Sequence, residues 1–193
     1  MTPFDLDEVY EATEACLALV RDPAPEATSR LLALLEHAAW QVRYAAAVAL
    51  GDRADPRSVP GLIRLLEQED TQPLYTQKED LAGAPAGASM AMTCSYPPEV
   101  SSVTLDCWRR RGRVKQAGCW ALAALGPAAR PAVTLLARYV TDSREDYMVR
   151  AAAGRALGLI GDPNAVAALQ QAAGDEEWCT RTEAQKALRR LGR

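Results

Sequence analysis

The chain has 193 residues and a formal net charge of −3, with a 49% hydrophobic fraction that leans on Ala and Leu and includes a single Phe. That length permits one sizeable core, and so little aromatic and β-branched material favours packed helices over sheets. The five cysteines (Cys16, Cys94, Cys107, Cys119, Cys179) are odd in number and lack a CxxC, arguing against a disulfide framework or a thiolate metal site.

The N-terminus carries Asp5, Asp7 and Glu8 where a secretory signal needs basic residues, and no run of about 18 apolar residues is evident. A cytoplasmic protein without a membrane partner is expected. Thr2-Pro3 suits a helix start, and Leu6, Val9, Tyr10, Thr13, Leu17 and Val20 trace one apolar face up to a stop near Asp22-Pro23. Residues 1–38 therefore read as N-terminal capping helices.

From there a unit recurs. Trp40-Gln-Val-Arg-Tyr-Ala-Ala-Ala-Val-Ala-Leu-Gly51 aligns with Gly112-Arg-Val-Lys-Gln-Ala-Gly-Cys-Trp-Ala-Leu-Ala123, with Tyr147-Met-Val-Arg-Ala-Ala-Ala-Gly-Arg-Ala-Leu-Gly158 and with Trp178-Cys-Thr-Arg-Thr-Glu-Ala-Gln-Lys-Ala-Leu-Arg189. The anchors Val42, Val114, Val149 and Thr180 are spaced by 72, 35 and 31 residues. A basic residue follows each anchor (Arg43, Lys115, Arg150, Arg181), and a small one stands four places after it (Ala46, Gly118, Ala153, Ala184), which lets neighbouring helices approach closely. Gly126, Gly161 and Gly192 fall twelve places after their anchors, where a helix of about four turns needs a left-handed stop. Asp55-Pro56, Pro127 and Asp162-Pro163 then suit the start of a second helix, whose apolar stripe is Val59, Leu62, Leu65, Leu66; Val133, Leu135, Leu136, Val140; or Val166, Leu169, Ala172, Ala173.

These residues resemble the HEAT-like repeats of phycobilin lyases and of many bacterial scaffold proteins: an aromatic, Val-Arg, an Ala-rich stretch, Leu-Gly, Asp-Pro and an apolar helix. The resemblance implies an all-α fold, a right-handed α-solenoid of stacked HEAT-like helix pairs in one domain. Its parts would be repeats at 39–68, 111–144 and 145–175, a C-terminal capping helix at 176–193, and a 69–110 insertion. Terminal Ala184, Ala187, Leu188 and Leu191 form one face, and Glu183, Lys186, Arg189 and Arg190 the other, as a cap requires.

The interval of 72 exceeds that of 31 by 41 residues, which is the insertion. Met90, Met92, Cys94 and Tyr96 alternate with small polar residues, as do Val103, Leu105 and Cys107, around Pro97-Pro98, a pattern that predicts a β-hairpin. The segment reads as a recognition arm, against the alternative of a tolerated surface loop. Cys94 and Cys107 face one another in such a hairpin, or are two ordinary thiols in a reducing compartment.

Charge is unevenly placed. Residues 1–30 sum to −5, 31–103 to −4, 104–155 to +6 and 156–193 to zero. Arg109, Arg110, Arg111, Arg113 and Lys115 are the densest basic cluster, and cations at a helix start oppose the helix dipole, which favours an acidic or phosphate-bearing partner there. One cluster does not make a nucleic-acid surface. His37 is the sole histidine, so it cannot build the His-Glu iron site of one HEAT-repeat hydroxylase family, and no nucleophile elbow, P-loop or GxGxxG occurs. No catalytic residue, metal or cofactor is expected. Trp40, Tyr147 and Trp178 precede their anchors by two and read as packing between repeats, while Trp120 reads as core.

The expectation is a non-enzymatic scaffold or adaptor that binds a peptide or protein partner. Second helices are taken to line the concave face, so its candidates are Arg64, Glu67, Arg138, Gln170 and Gln171, with Arg64 aligned to Gln171 and Glu67 to Arg138. Tyr75, Met90, Met92, Tyr96 and Arg109, Arg110, Arg111 and Arg113 extend the site. The alternatives are a bilin or tetrapyrrole lyase-like protein or chromophore chaperone, implied by the resemblance, and a nucleic-acid binder.

Overall fold

A computed structural model describes residues 6–70 and 112–193, and all their regular structure is helical. The expected β-hairpin and most of the 69–110 insertion lie outside the described residues, as does Thr2-Pro3. In chain order come α1 (Leu6–Arg21), α2 (Glu26–Leu34), α3 (Trp40–Arg53), α4 (Val59–Asp70), α5 (Arg113–Leu125), α6 (Val133–Thr141), α7 (Tyr147–Ile160), α8 (Val166–Ala172) and α9 (Trp178–Arg190). The first helices α1, α3, α5, α7 and α9 stack side by side, and each second helix lies against the first helix that follows it: α2 on α3, α4 on α5, α6 on α7, α8 on α9. The result is an α-solenoid.

Small residues set the spacing of the first-helix row. Ala46, Gly118, Ala153 and Ala184 are all buried, as the repeat predicts. A Cβ built on Gly158 would stand 2.6 Å from the Ala187 Cβ, and one on Gly51 would stand 2.9 Å from the Ala121 Cα, so backbone contact is close on both sides of the insertion. The stack is continuous across that gap: Tyr139 of α6 donates its hydroxyl to the Leu66 carbonyl of α4 at 2.9 Å, and Gly118 of α5 leaves room for the Leu66 side chain.

The helix stops also follow the repeat. Gly126, Gly161 and Gly192 have φ of +54°, +75° and +71°; Gly161 is left-handed as expected, whereas Gly126, with ψ −133°, ends its helix outside the left-handed region. The corresponding place after Val42 is Ala54, which adopts φ +51° and ψ +32° without being glycine. Asp55 and Asp162 cap the turns that open α4 and α8, accepting from the amides of Arg57 and Asn164. The turn between α5 and α6, Gly126–Ala132, contains Pro127 and Pro131. It breaks the stretch Arg113–Thr141, otherwise long and apolar enough to pass for a membrane span, into helices of 13 and 9 residues, each short of the roughly 20 needed.

Three sequence expectations change. Among the described side chains of α1 the buried ones are Cys16 and Leu19, whereas Tyr10 and Leu17 are 67% and 58% exposed. The helix carries two adjacent apolar stripes, and contact with α3 selects the one through Cys16. Trp120 is 42% exposed rather than core, because small neighbours such as Ala117 and Ala121 fill the interface beneath it. Trp40 packs against the core as expected, but Trp178 is 67% exposed.

Candidate functional site

The basic residue after each anchor points inward along one edge of the stack. Arg43 donates from Nε to Glu69 at 2.8 Å and from Nη1 to the carbonyls of His37 and Ala38 at 2.9 and 2.8 Å. Arg181 repeats the backbone half of this pattern with the carbonyls of Asp175 and Glu176. Lys115, 1% exposed, meets Glu145 at 2.5 Å and lies 5.0 Å from the Tyr139 ring centroid. Arg150 pairs with Asp175. Three of these links tie the start of a first helix to the end of its own second helix, in Glu69, or to the turn that follows it, in Glu145 and Asp175. Sequence reasoning registered the basic positions but not their acids, which follow at 26, 30 and 25 residues and so break the period.

This edge holds two grooves. The larger, about 590 Å³, lies between the α6–α7 and α8–α9 turns and is lined by Glu145, Asp146, Arg150, Asp175, Glu176 and Glu177 among others. Burial pushes the Asp146 carboxyl upward, against its hydrogen bond from the Met148 amide at 2.7 Å. A smaller groove of about 210 Å³ is lined by Glu36, His37, Arg43, Gln68 and Glu69. His37 acts structurally there: its Nδ1 accepts from the Ala39 amide at 3.0 Å, and Nε2 is 4.0 Å from Glu8. Among the described residues no group of three or more His, Cys, Asp or Glu side chains is placed to hold a metal ion.

Arg64, Glu67, Arg138, Gln170 and Gln171 are all exposed on the second helices. Because α4, α6 and α8 begin at Val59, Val133 and Val166, Arg64, Arg138 and Gln171 share the sixth position of their helices. The sequence alignment of Glu67 with Arg138 is corrected accordingly. Arg138 lies 5.4 Å from the Tyr139 ring centroid. Arg113 sits apart, half-buried beside an apolar groove of about 300 Å³ formed mainly by Leu17, Val20, Trp40, Tyr44 and Val48. Tyr75, Met90, Met92, Tyr96, Arg109, Arg110 and Arg111 lie outside the described residues. Cys16 and Cys119 are buried, and burial pushes the Cys16 thiol up to about 11.

The search of curated proteins returned no match. Among solved structures the chain is similar to human deoxyhypusine hydroxylase in complex with glycerol, at 22% identity and a TM-score of 0.40, covering 98% of this chain and 82% of that one. A likeness that weak carries nothing about activity. The family model for HEAT repeats matches residues 7–75 and 109–189, most of the chain, and its two blocks coincide with the helix pairs on either side of the insertion. This protein belongs to the HEAT-repeat family.

Proposed function

We propose that the chain is a non-enzymatic scaffold or adaptor of the cytoplasm whose second-helix row, with residues of the 69–110 insertion, binds a peptide or a partner protein. One observation carries this reading. Arg64, Arg138 and Gln171 occupy the same position of three second helices and are all exposed, above a core closed by Leu62, Leu66, Leu136, Val140, Leu169 and Ala172. A ladder of polar side chains at repeat spacing suits an extended peptide or a helix, whose own repeat it can follow. The Val-Arg, Leu-Gly and Asp-Pro pattern further supports repeats of the bacterial phycobilin-lyase type. Tyr75, Met90, Met92 and Tyr96 would add adaptable apolar contacts, and Arg109 to Arg113 a basic rim.

The test is a triple variant, Arg64→Ala/Arg138→Ala/Gln171→Ala, used as bait against a lysate of the source cell. These side chains are exposed, so the thermal melt should stay within about 2 °C of wild type while capture of the main partner falls by an order of magnitude. Undiminished capture by the folded triple variant would overturn the assignment of this face.

A further inference from the structure

Every large apolar side chain left exposed among the described residues lies on a first helix: Tyr10 and Leu17 on α1, Trp120 on α5, Leu159 on α7 and Trp178 on α9. The second-helix row carries none. Leu17 borders the apolar groove of about 300 Å³ that also includes Tyr44 and Val48 of α3 and Arg113 of α5. Tyr10 stands seven residues before Leu17, and Trp120 seven after Arg113, so each shares a side of its helix with a groove residue. The groove therefore belongs to a wider apolar face across α1, α3 and α5.

The charges at the two ends of this face indicate what covers it. Arg53 of α3 bonds the Leu19 carbonyl of α1, and Gly51 of α3 meets Ala121 of α5, so the three helices run in the same direction with their ends level. Gln41 and Asp52, both on the groove wall, are 11 residues and so about 16 Å apart along α3. Arg113 precedes Val114 as Gln41 precedes Val42, which puts a cation at the starting end of the face and the Asp52 anion at the other. On α1 the order is reversed, with Glu14 before Arg21 on the side that carries Tyr10 and Leu17. A face with opposite charges at opposite ends is complementary to itself when turned end for end.

We infer that two copies of this chain pair through the α1–α3–α5 face about a two-fold axis perpendicular to these helices. Arg113 of each copy then meets Asp52 of the other, Glu14 meets Arg21, and the apolar side chains close on one another between them, as an isologous contact requires. With 16 and 14 residues, α1 and α3 are about 24 and 21 Å long, and neighbouring helices lie about 10 Å apart. The face thus offers roughly 500 Å² per copy, about 1,000 Å² in the pair, the low end for a specific interface. The pairing leaves the second-helix row of Arg64, Arg138 and Gln171 uncovered, so capture of a partner by that row and self-association can each fail alone.

The experiment is sedimentation equilibrium of the full chain over about 1–300 µM, with thermal melts as a check on folding. The wild-type mass should rise from one chain to two with a micromolar midpoint. Arg113→Glu and Asp52→Arg should each weaken the dissociation constant about tenfold, because either swap sets like charges opposite one another twice. The double variant Arg113→Glu/Asp52→Arg should return to within about threefold of wild type, since the reversed charges meet again across the axis. Leu17→Asp should leave single chains throughout. If Arg113→Glu melts early, Asp52→Arg and Leu17→Asp, both at exposed positions, decide the matter. A wild-type chain that stays single at the highest concentration, a dimer indifferent to Asp52→Arg or Leu17→Asp, or a folded double variant no better than its single parents would each overturn the assignment.

Discussion

Replacing Ala54 with glycine should stabilise this protein. Ala54 ends α3 with φ +51° and ψ +32°, and its amide donates to the carbonyls of Gly51 and Leu50, both at 3.1 Å. It stands twelve residues after Val42, the same offset at which Gly126, Gly161 and Gly192 follow their anchors with positive φ. An L-residue in the left-handed region costs about 1–2 kcal/mol. Glycine removes that cost but gives the unfolded chain more freedom, worth roughly 0.5–1 kcal/mol in the other direction. The net gain is about 0.5–1 kcal/mol, which for a chain of this size raises Tm by about 1–4 °C. Thermal unfolding followed by circular dichroism measures it directly. The converse change is Gly161→Val: a Cβ there meets nothing within 4 Å, so its cost of about 1–3 kcal/mol is conformational alone. A lower Tm for Ala54→Gly, or an unchanged one for Gly161→Val, would refute the reasoning that a left-handed stop ends both α3 and α7.

The same physical picture extends to packing, burial and charge. Gly158→Ala should lower stability by about 1–3 kcal/mol in urea unfolding, despite alanine's better helix propensity, because the new methyl would sit 2.7 Å from the Ala187 Cα. Lys115→Met should cost about 3 kcal/mol by leaving Glu145 buried without its cation, and Lys115→Met/Glu145→Gln should recover most of that loss. The Arg57 guanidinium, and then the Thr28 hydroxyl, hold the Asp55 carboxyl well below the usual carboxylate range. A depressed folded pKa contributes stability that is complete above the unfolded value near ~4 and is lost as pH falls through the folded one. Asp55→Asn should therefore have the lower Tm at neutral pH, with the two melts converging in acid. Asp146, raised by burial, works with the opposite sign, its charged form being the penalised one, so Asp146→Asn should match or exceed the wild-type Tm at neutral pH, with the two melts converging in acid.

The architecture was legible where a residue's chemistry repeats with its position. Val42, Val114 and Val149 sit on buried faces, Ala46 and Ala153 are buried beside them, and Gly161 stands at a left-handed stop, each placed by the recurring unit. Ala54 was not, since alanine is a helix former whose left-handed conformation is imposed by the surrounding turn. The exposed sides of α1 and α5 were also hidden. Leu17 and Cys16 are both apolar, and only the position of α3 decides that Cys16 goes inward. Of the site, the exposure of the second-helix residues was readable from periodicity, but the register that sets Arg138 beside Arg64 rather than Glu67 was not. Nor was the groove at Arg150, because Asp175 and Glu145 lie at unequal distances from their partners.

The central claim is that the helix pairs on either side of residues 71–111 form one stack, carried by Tyr139 on Leu66, Leu66 on Gly118 and Gly51 on Ala121. Cutting residues 72–106 and rejoining the chain with a short Gly-Ser linker tests it most directly, since those contacts all lie outside the excised piece and loop-closure cost changes slowly with length. Thermal unfolding of the shortened protein should remain a single cooperative transition within about 3 °C of the full chain. Two separate transitions, or loss of helical signal at a temperature where the full chain is folded, would contradict the continuous solenoid.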